Sequence, residues 1–323
     1  MAKLRVGVLR GGPSAEYEVS LKTGAFVLSR LPPEKYQPRD ILLTREGEWF
    51  MEGLPASPER LRHAVDIVFN ALHGSYGEDG QVQRYLDSIG LPYTGSRAFA
   101  SALAMNKTLS KEYYSTEGLK TPPALAFSEG TPEGEIAAMV FRKIGPPWVV
   151  KPADNGSSVG VRVVRFLKDL PAAVAAAFTI AKSILVEEFI RGREATCGVV
   201  DKYRGYDIYP LFPIEIVPPK ERPFFDYEAK YGGISEEFCP GRFDEATKHS
   251  LQDMAVRAHK ALGLSDYSRS DFMIHPTRGI FILETNSLPG LTEESLVPKA
   301  LAAAGAHPSH FLDHIVTLAL ERR

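Results

Sequence analysis

Late in the chain, Phe281-Ile282-Leu283-Glu284-Thr285-Asn286 runs into Ser287-Leu288-Pro289-Gly290. An apolar run that closes on a carboxylate and an amide reads as a buried strand. Side chains alternate along a strand, so Glu284 and Asn286 share a face. Carboxylate and amide oxygens side by side are the hard donors that Mg²⁺ takes, usually together with phosphate. Upstream, Arg269-Ser270-Asp271-Phe272-Met273-Ile274 repeats the arrangement, with Arg269 and Asp271 on one face. If the two strands pair, three metal ligands and one fixed cation converge, which is the equipment for moving a phosphoryl group. The competing reading is a strand end leading polar residues into a Pro-Gly turn.

Other residues bear on that choice. Lys151 closes the apolar run Trp148-Val149-Val150-Lys151-Pro152. A lysine at the end of a buried strand needs an anionic partner, and a nucleotide phosphate would serve. The loop Gly156-Ser157-Ser158-Val159-Gly160 offers hydroxyls and backbone N–H groups of the kind that cradle phosphate. It is not a Walker A motif, and a plain hairpin turn is its alternative. Leu185-Val186-Glu187-Glu188-Phe189-Ile190 is an apolar strand carrying two acids; it could present backbone groups to an adenine edge, with Glu194 accepting from ribose hydroxyls. Acids pointing to water are the other reading, and spacing does not separate the two. Lys230 and Tyr231 lie in a long loop that reads either as a lid excluding water or as a solvated connection.

Glu16 follows the turn Gly11-Gly12-Pro13-Ser14, and His73 follows the next buried strand. Both stand at carboxyl ends of strands, where ligands bind in open α/β sheets, although either alone is more often structural. The turn lacks the dinucleotide fingerprint, which argues against a nicotinamide site. Ser295-Leu296 begins a helix, and a helix N-terminus favours a carboxylate.

These residues need three units to position them. Residues 1–104 alternate strand and helix: strands at 3–9, 65–72 and 91–94, helices at 19–30 and 80–89. That alternation predicts a parallel sheet. Residues 105–184 form a second unit, with one helix over 101–116 carrying Asn106 and Lys107, the Lys151 strand, and an Ala-rich helix over 171–182. Residues 185–323 form a third, with a larger antiparallel sheet from strands at 184–189, 194–200, 207–214, 270–274 and 280–284. Its helix over 243–263 has Asp244 as cap and Gly263 as stop. Residues 217–240 read as a long irregular loop, a length that is usually functional or disordered.

The 323 residues supply material for two or three domains. A net charge of −2 gives no support for binding nucleic acid. Cys197 and Cys239, as the only two cysteines, exclude a disulfide framework or a zinc motif. The first residues read as a strand rather than a signal peptide, and no apolar run reaches the roughly 18–20 residues that span a bilayer. A cytoplasmic location is expected. Asparagine occurs only at 70, 106, 155 and 286, and glutamine is equally scarce, a depletion of thermolabile amides associated with hot habitats.

Taken jointly, these segments resemble the D-alanine–D-alanine ligases. The resemblance rests on the stretch Gly11-Gly12-Pro13-Ser14-Ala15-Glu16 with Val19-Ser20-Leu21, and on His73-Gly74 with Gly77-Glu78-Asp79-Gly80. It extends through Lys151-Pro152, the Gly156–Gly160 loop, Arg269-Ser270-Asp271 and Glu284-Thr285-Asn286, and so over essentially the whole length. It implies an N-terminal parallel-sheet domain followed by a two-lobed ATP-grasp fold, and ligation of two D-alanines through an acyl phosphate with release of ADP, for peptidoglycan precursors.

By resemblance, Glu16 binds the first substrate's ammonium and joins a hydrogen-bonded set with Ser157 (or Ser158) and Tyr231, while His73 lies near that substrate. Lys107 and Lys151 contact ATP phosphates. Glu187, Glu188, Phe189 and Ile190 line the adenine pocket, Glu194 the ribose, and Ser158 and Phe272 belong to the nucleotide contacts. Asp271, Glu284 and Asn286 hold two Mg²⁺, with Mn²⁺ as a substitute. Arg269 and the Gly290 N–H face the oxyanion, and Ser295 with the Leu296 N–H receives the second substrate. A homodimer is implied. Glu188-Phe189 departs from relatives that often carry Lys and Trp, which leaves adenine stacking open. Lys230-Tyr231 resembles the dipeptide-forming type rather than ligases that use D-lactate or D-serine. A nucleotide-binding regulator without catalysis is the reading from another class; it should lack a charged site residue, and none is missing.

Overall fold

The computed structural model describes residues 2–154, 156, 160–218 and 235–322. Three sheets account for its architecture. The first is built on β1 (Leu4–Gly11), flanked by β2 (Tyr36–Leu43) and β5 (Ile67–Asn70), both parallel to it. The short β3 (Trp49–Met51) and β4 (Leu54–Pro55) extend the β2 edge in antiparallel fashion. Because β1 has one parallel neighbour on each side, the loops after β1 and β5 diverge to open a crevice at the sheet's carboxyl end. The expected strand over 91–94 is only a bridge between Tyr93 and Val68. Helices α1 (Tyr17–Arg30), α2 (Leu61–Ala64) and α3 (Gln81–Ser88) complete this region.

The single helix expected over 101–116 is two helices, α4 (Ala98–Met105) and α5 (Lys107–Thr116). Asn106 divides them. Its backbone is extended, and its side-chain oxygen accepts from the N–H groups of Thr108 and Leu109, a true N-cap. The cap makes Lys107 the first residue of α5.

The second sheet, ordered β6 (Ala124–Ser128), β9 (Ser183–Glu188), β7 (Trp148–Pro152), β8 (Arg162–Val164), is antiparallel throughout. One face buries Trp148, Val150, Ile184 and Val186 against α6 (Glu133–Lys143) and α7 (Leu170–Phe178). By strand alternation Lys151 and Glu187 share the other face.

The third sheet runs β13 (Glu236–Phe238), β12 (Ile214–Val217), β10 (Arg193–Asp201), β14 (Tyr267–His275), β15 (Gly279–Asn286), with β11 (Ile208–Pro210) also on β10. Two expectations are corrected here. The strand over 207–214 is two strands with a break at 211–213, and β13 lies inside the span expected to be irregular loop. Helix α8 (Glu245–Ala261) is capped by Asp244, which accepts from Thr247 N at 2.7 Å, and it packs Leu251, Ala255 and Ala258 under the sheet with Phe272 and Ile282. Helices α9 (Leu296–Ala303) and α10 (Pro308–Glu321) return to the first sheet: Phe311, Leu312 and Ile315 share one core with Val6, Val8, Ile67 and Phe69. No described helix is long and apolar enough to cross a membrane.

Candidate active site

β14 and β15 pair with Arg269 opposite Asn286 and Asp271 opposite Glu284. A register shift just after Asp271 takes up Leu283 as an extra residue. Asp271 accepts both guanidinium contacts of Arg269 at 2.9 Å and the Thr196 hydroxyl at 2.6 Å. That grip fixes the carboxylate while leaving lone pairs on both oxygens. Arg269 is buried, whereas Asp271, Glu284 and Asn286 are half-buried. Beneath them Thr285 ties the strand pair to α5 by accepting from Tyr114 Oη at 2.8 Å, and its hydroxyl meets Ser270 Oγ at 2.9 Å.

Three lysines reach this region. Lys107, at the start of α5, places Nζ 3.3 Å from Glu284 Oε2. Lys151 Nζ lies 2.6 Å from Glu187 Oε1. Lys111 Nζ lies 2.9 Å from Glu187 Oε2, at an angle outside hydrogen-bond geometry. Burial pushes the Glu187 carboxyl up, but the attraction of Lys111 and Lys151 outweighs it and holds the group below the usual carboxylate range. Sequence reasoning did not single out Lys111. The available signal was its place four residues after Lys107 in one helical stretch, which puts both on one face.

A small cleft joins the sheets. Lys107, Glu284 and Asn286 line it together with Glu78, Met105 and Gly156. Glu16, buried at the N-cap of α1, comes near the Gly156 part of this lining: its Oε2 lies 4.0 Å from where a Cβ on Gly156 would be, and 2.8 Å from one on Gly74. Gly74 also has φ +69, so both its conformation and the nearness of Glu16 require glycine. His73 is buried, with Nε2 2.8 Å from Thr23 Oγ1 and Nδ1 3.5 Å from Glu78 Oε1. Thr23 in turn accepts from Leu291 N at 3.5 Å, which links this pocket to the Gly290 turn. A Cβ on Gly290 would stand 3.0 Å from Ser295 Oγ, and Ser295 is the N-cap residue of α9, with Leu296 its first residue.

A cavity of about 300 Å³ lies beside β9 and β10, lined by Phe189, Ile190, Glu194, Val217 and Met273 among others. Phe272 differs from the expectation. It pairs with Ala195 on the opposite face of the sheet and is fully buried in the α8 core, while Met273, opposite Glu194, faces the cavity. Alternation along β14 admits only one of these neighbours to the cleft. Glu188 is held by both arms of Arg278, with Nη2 at 2.9 Å from Oε2, and this contact keeps its carboxyl below the usual range. The expectations for Ser157, Ser158, Lys230 and Tyr231 fall outside the described residues.

Asp271, Glu284 and Asn286 offer oxygen donors alone, without thiolate or imidazole, which suits Mg²⁺. Among the described residues no group of three or more His, Cys, Asp or Glu forms a metal cage. Two carboxylates and an amide need ligand oxygens to complete a coordination shell, and phosphates supply them.

Comparison with known proteins bears on the whole chain. The family model described as "D-ala D-ala ligase C-terminus" matches residues 114–317, and the one described as "D-ala D-ala ligase N-terminus" matches 5–60 and 52–96. A D-alanine–D-alanine ligase of Syntrophobacter fumaroxidans is 41% identical over 321 residues, covering 99% of this chain and 98% of that one. Among solved structures, a D-Ala:D-Ser ligase of Enterococcus faecalis is 30% identical with TM-score 0.85, covering 98% of this chain and 100% of that one. A D-alanine–D-alanine ligase of Bacillus anthracis complexed with ATP is 30% identical with TM-score 0.79, covering 98% of each.

Proposed function

The chain belongs to the D-alanine–D-alanine ligase family, and from that premise we propose that it joins two D-alanines at the expense of ATP, through an acyl phosphate, for peptidoglycan synthesis. The observation that carries the reading is the register of β14 and β15, which faces Asp271 with Glu284 while Arg269 stands opposite Asn286. The nearness of Glu16 to Gly156, which lines the cleft with Glu284 and Asn286, supports it.

In this reading the nucleotide occupies the cavity beside Phe189 and Glu194, and its phosphates reach Lys107 and Lys151. Asp271, Glu284 and Asn286 would hold Mg²⁺ (or Mn²⁺), which supplies charge neutralisation at the phosphates. Glu16, with His73 close by, fixes the ammonium of the first D-alanine and so aims its carboxylate at the γ-phosphate. Arg269 and the Gly290 N–H lie where negative charge develops when the second amine attacks. Ser295 and the Leu296 N–H, at the N-terminus of α9, receive the second carboxylate. Ser157, Lys230 and Tyr231 are assigned by resemblance to orienting substrate and covering the site. Covering matters because an acyl phosphate is open to hydrolysis. By the same resemblance the protein is a cytoplasmic homodimer, with residues 1–104 forming a substrate domain and 105–184 and 185–323 the two ATP-grasp lobes.

Two variants test the division of labour. Asn286→Ala is expected to lower ATP turnover about 100-fold at every D-alanine concentration, and Glu16→Ala to raise the D-alanine KM with a smaller effect on the ATP KM. ADP release unchanged in both would reject these assignments.

A further inference from the structure

Lys111 has no role in the scheme above, yet it is a buried lysine, only 7% exposed, next to the cleft. Its ammonium donates to Thr121 Oγ1 at 2.7 Å and to the Pro122 carbonyl at 3.2 Å, and it stands in ion-pair contact with Glu187 Oε2 at 2.9 Å. The ammonium is buried among those partners, so what Lys111 does passes through them. Thr121 and Pro122 belong to the connection from α5 to β6. Glu187 stands on β9 and holds Lys151 of β7 by its other oxygen at 2.6 Å.

Two cations around one buried carboxylate leave a positive surplus, shared between Lys111 and Lys151. An uncompensated buried charge destabilises a fold, so stability alone does not account for the arrangement; an anion arriving at Lys151 does. The geometry adds a second link. Lys111 and Lys107 lie one turn apart on α5, the first joined to the second sheet through Glu187, the other to the third sheet through Glu284. The helix is therefore a bar of fixed length between the two phosphate lysines.

We propose that Lys111 is a positioning residue: through Glu187 it holds Lys151, and through α5 it sets the spacing of Lys151 from Lys107 across the two sheets. The proposal rests on the nucleotide site assigned above. In the full-length chain, Lys111→Met raises the KM for ATP about tenfold or more and lowers kcat, with the D-alanine KM within about twofold. Lys111→Arg, which keeps the charge, recovers most of the loss. A residue that only supported the fold would lower Tm and the active fraction and leave the KM for ATP in place. Calorimetric binding of Mg·ATP supplies the second readout: added to Lys151→Met, Lys111→Met weakens binding by no more than about twofold, because its route is already cut. An ATP KM within twofold of wild type, or a full additional loss in the Lys151→Met background, overturns the proposal. Should Lys111→Met not fold, Lys111→Gln, which removes the charge and retains hydrogen bonding, carries the same readings. Failure of the wild-type protein to bind Mg·ATP would instead overturn the nucleotide site itself.

Discussion

At the scale of single residues, the site is assembled from charges whose neighbours set their state. Burial lowers the Lys111 ammonium from 10.5 to about 8, against the opposing pull of Glu187. The folded protein therefore releases this proton at lower pH than the unfolded chain does. Between about pH 8 and 10.5 the unfolded state binds more protons, so this group's contribution to stability rises with pH. Below about pH 8, where the ammonium stays charged in both states, this group's burial opposes folding. Urea unfolding of the wild type and Lys111→Met at pH 7.5 and 9.5 checks the sign. The wild type should gain relative to the variant on going to the higher pH, and an equal or reversed difference would contradict this account.

At the scale of elements, Asn106 shows what a cap does for a site. By accepting from Thr108 N and Leu109 N it starts α5 at Lys107 and aims that lysine at Glu284. Asn106→Ala should lose about 1 kcal/mol of stability, as other N-cap losses do. It should also raise the KM for ATP more than that for D-alanine, since the moved residue is a phosphate lysine. Chemical denaturation and kinetics with each substrate varied report the two effects. This break was not legible in the sequence, because good helix formers run through 98–116 on both sides of Asn106, and a mid-helix asparagine looks like one unfavourable residue rather than a boundary. The pairing of Asp271 with Glu284 and the Asp244 cap were legible, since each depends on local alternation or on one residue type at a helix start. Phe272 was misplaced because the motif carries it beside Asp271 while the strand turns it to the opposite face. β13 was hidden among prolines and charges, its pairing being made by β12 at the other end of that segment. The Lys111–Glu187 contact spans α5 and β9, and no short-range pattern announces it.

At the scale of the whole molecule, the site exists only where the three sheets meet, and several contacts hold the first sheet against the third. Asp313 of α10 holds Lys35 and Tyr36, and Arg322 reaches back to Asp266 and the carbonyls of Tyr93 and Gly95. Burial raises the Asp266 carboxyl to about 7 even with Arg322 and the Gly95 N–H beside it, and these two partners compensate that carboxylate at the junction. Such anchoring sets Glu16 and His73 of the first hundred residues opposite the Asp271–Glu284 strand pair of the last sixty. The arrangement has chemical purpose if an amino acid held on one side receives a phosphoryl group held on the other. ADP release by the purified protein with Mg·ATP, measured with D-alanine and with L-alanine in parallel and with the product identified by mass, tests this directly. The account predicts ADP release dependent on D-alanine, D-alanyl-D-alanine in equal amount, and no comparable turnover with L-alanine. Nucleotide binding without D-alanine-dependent ADP release, or equal turnover with both enantiomers, would contradict it.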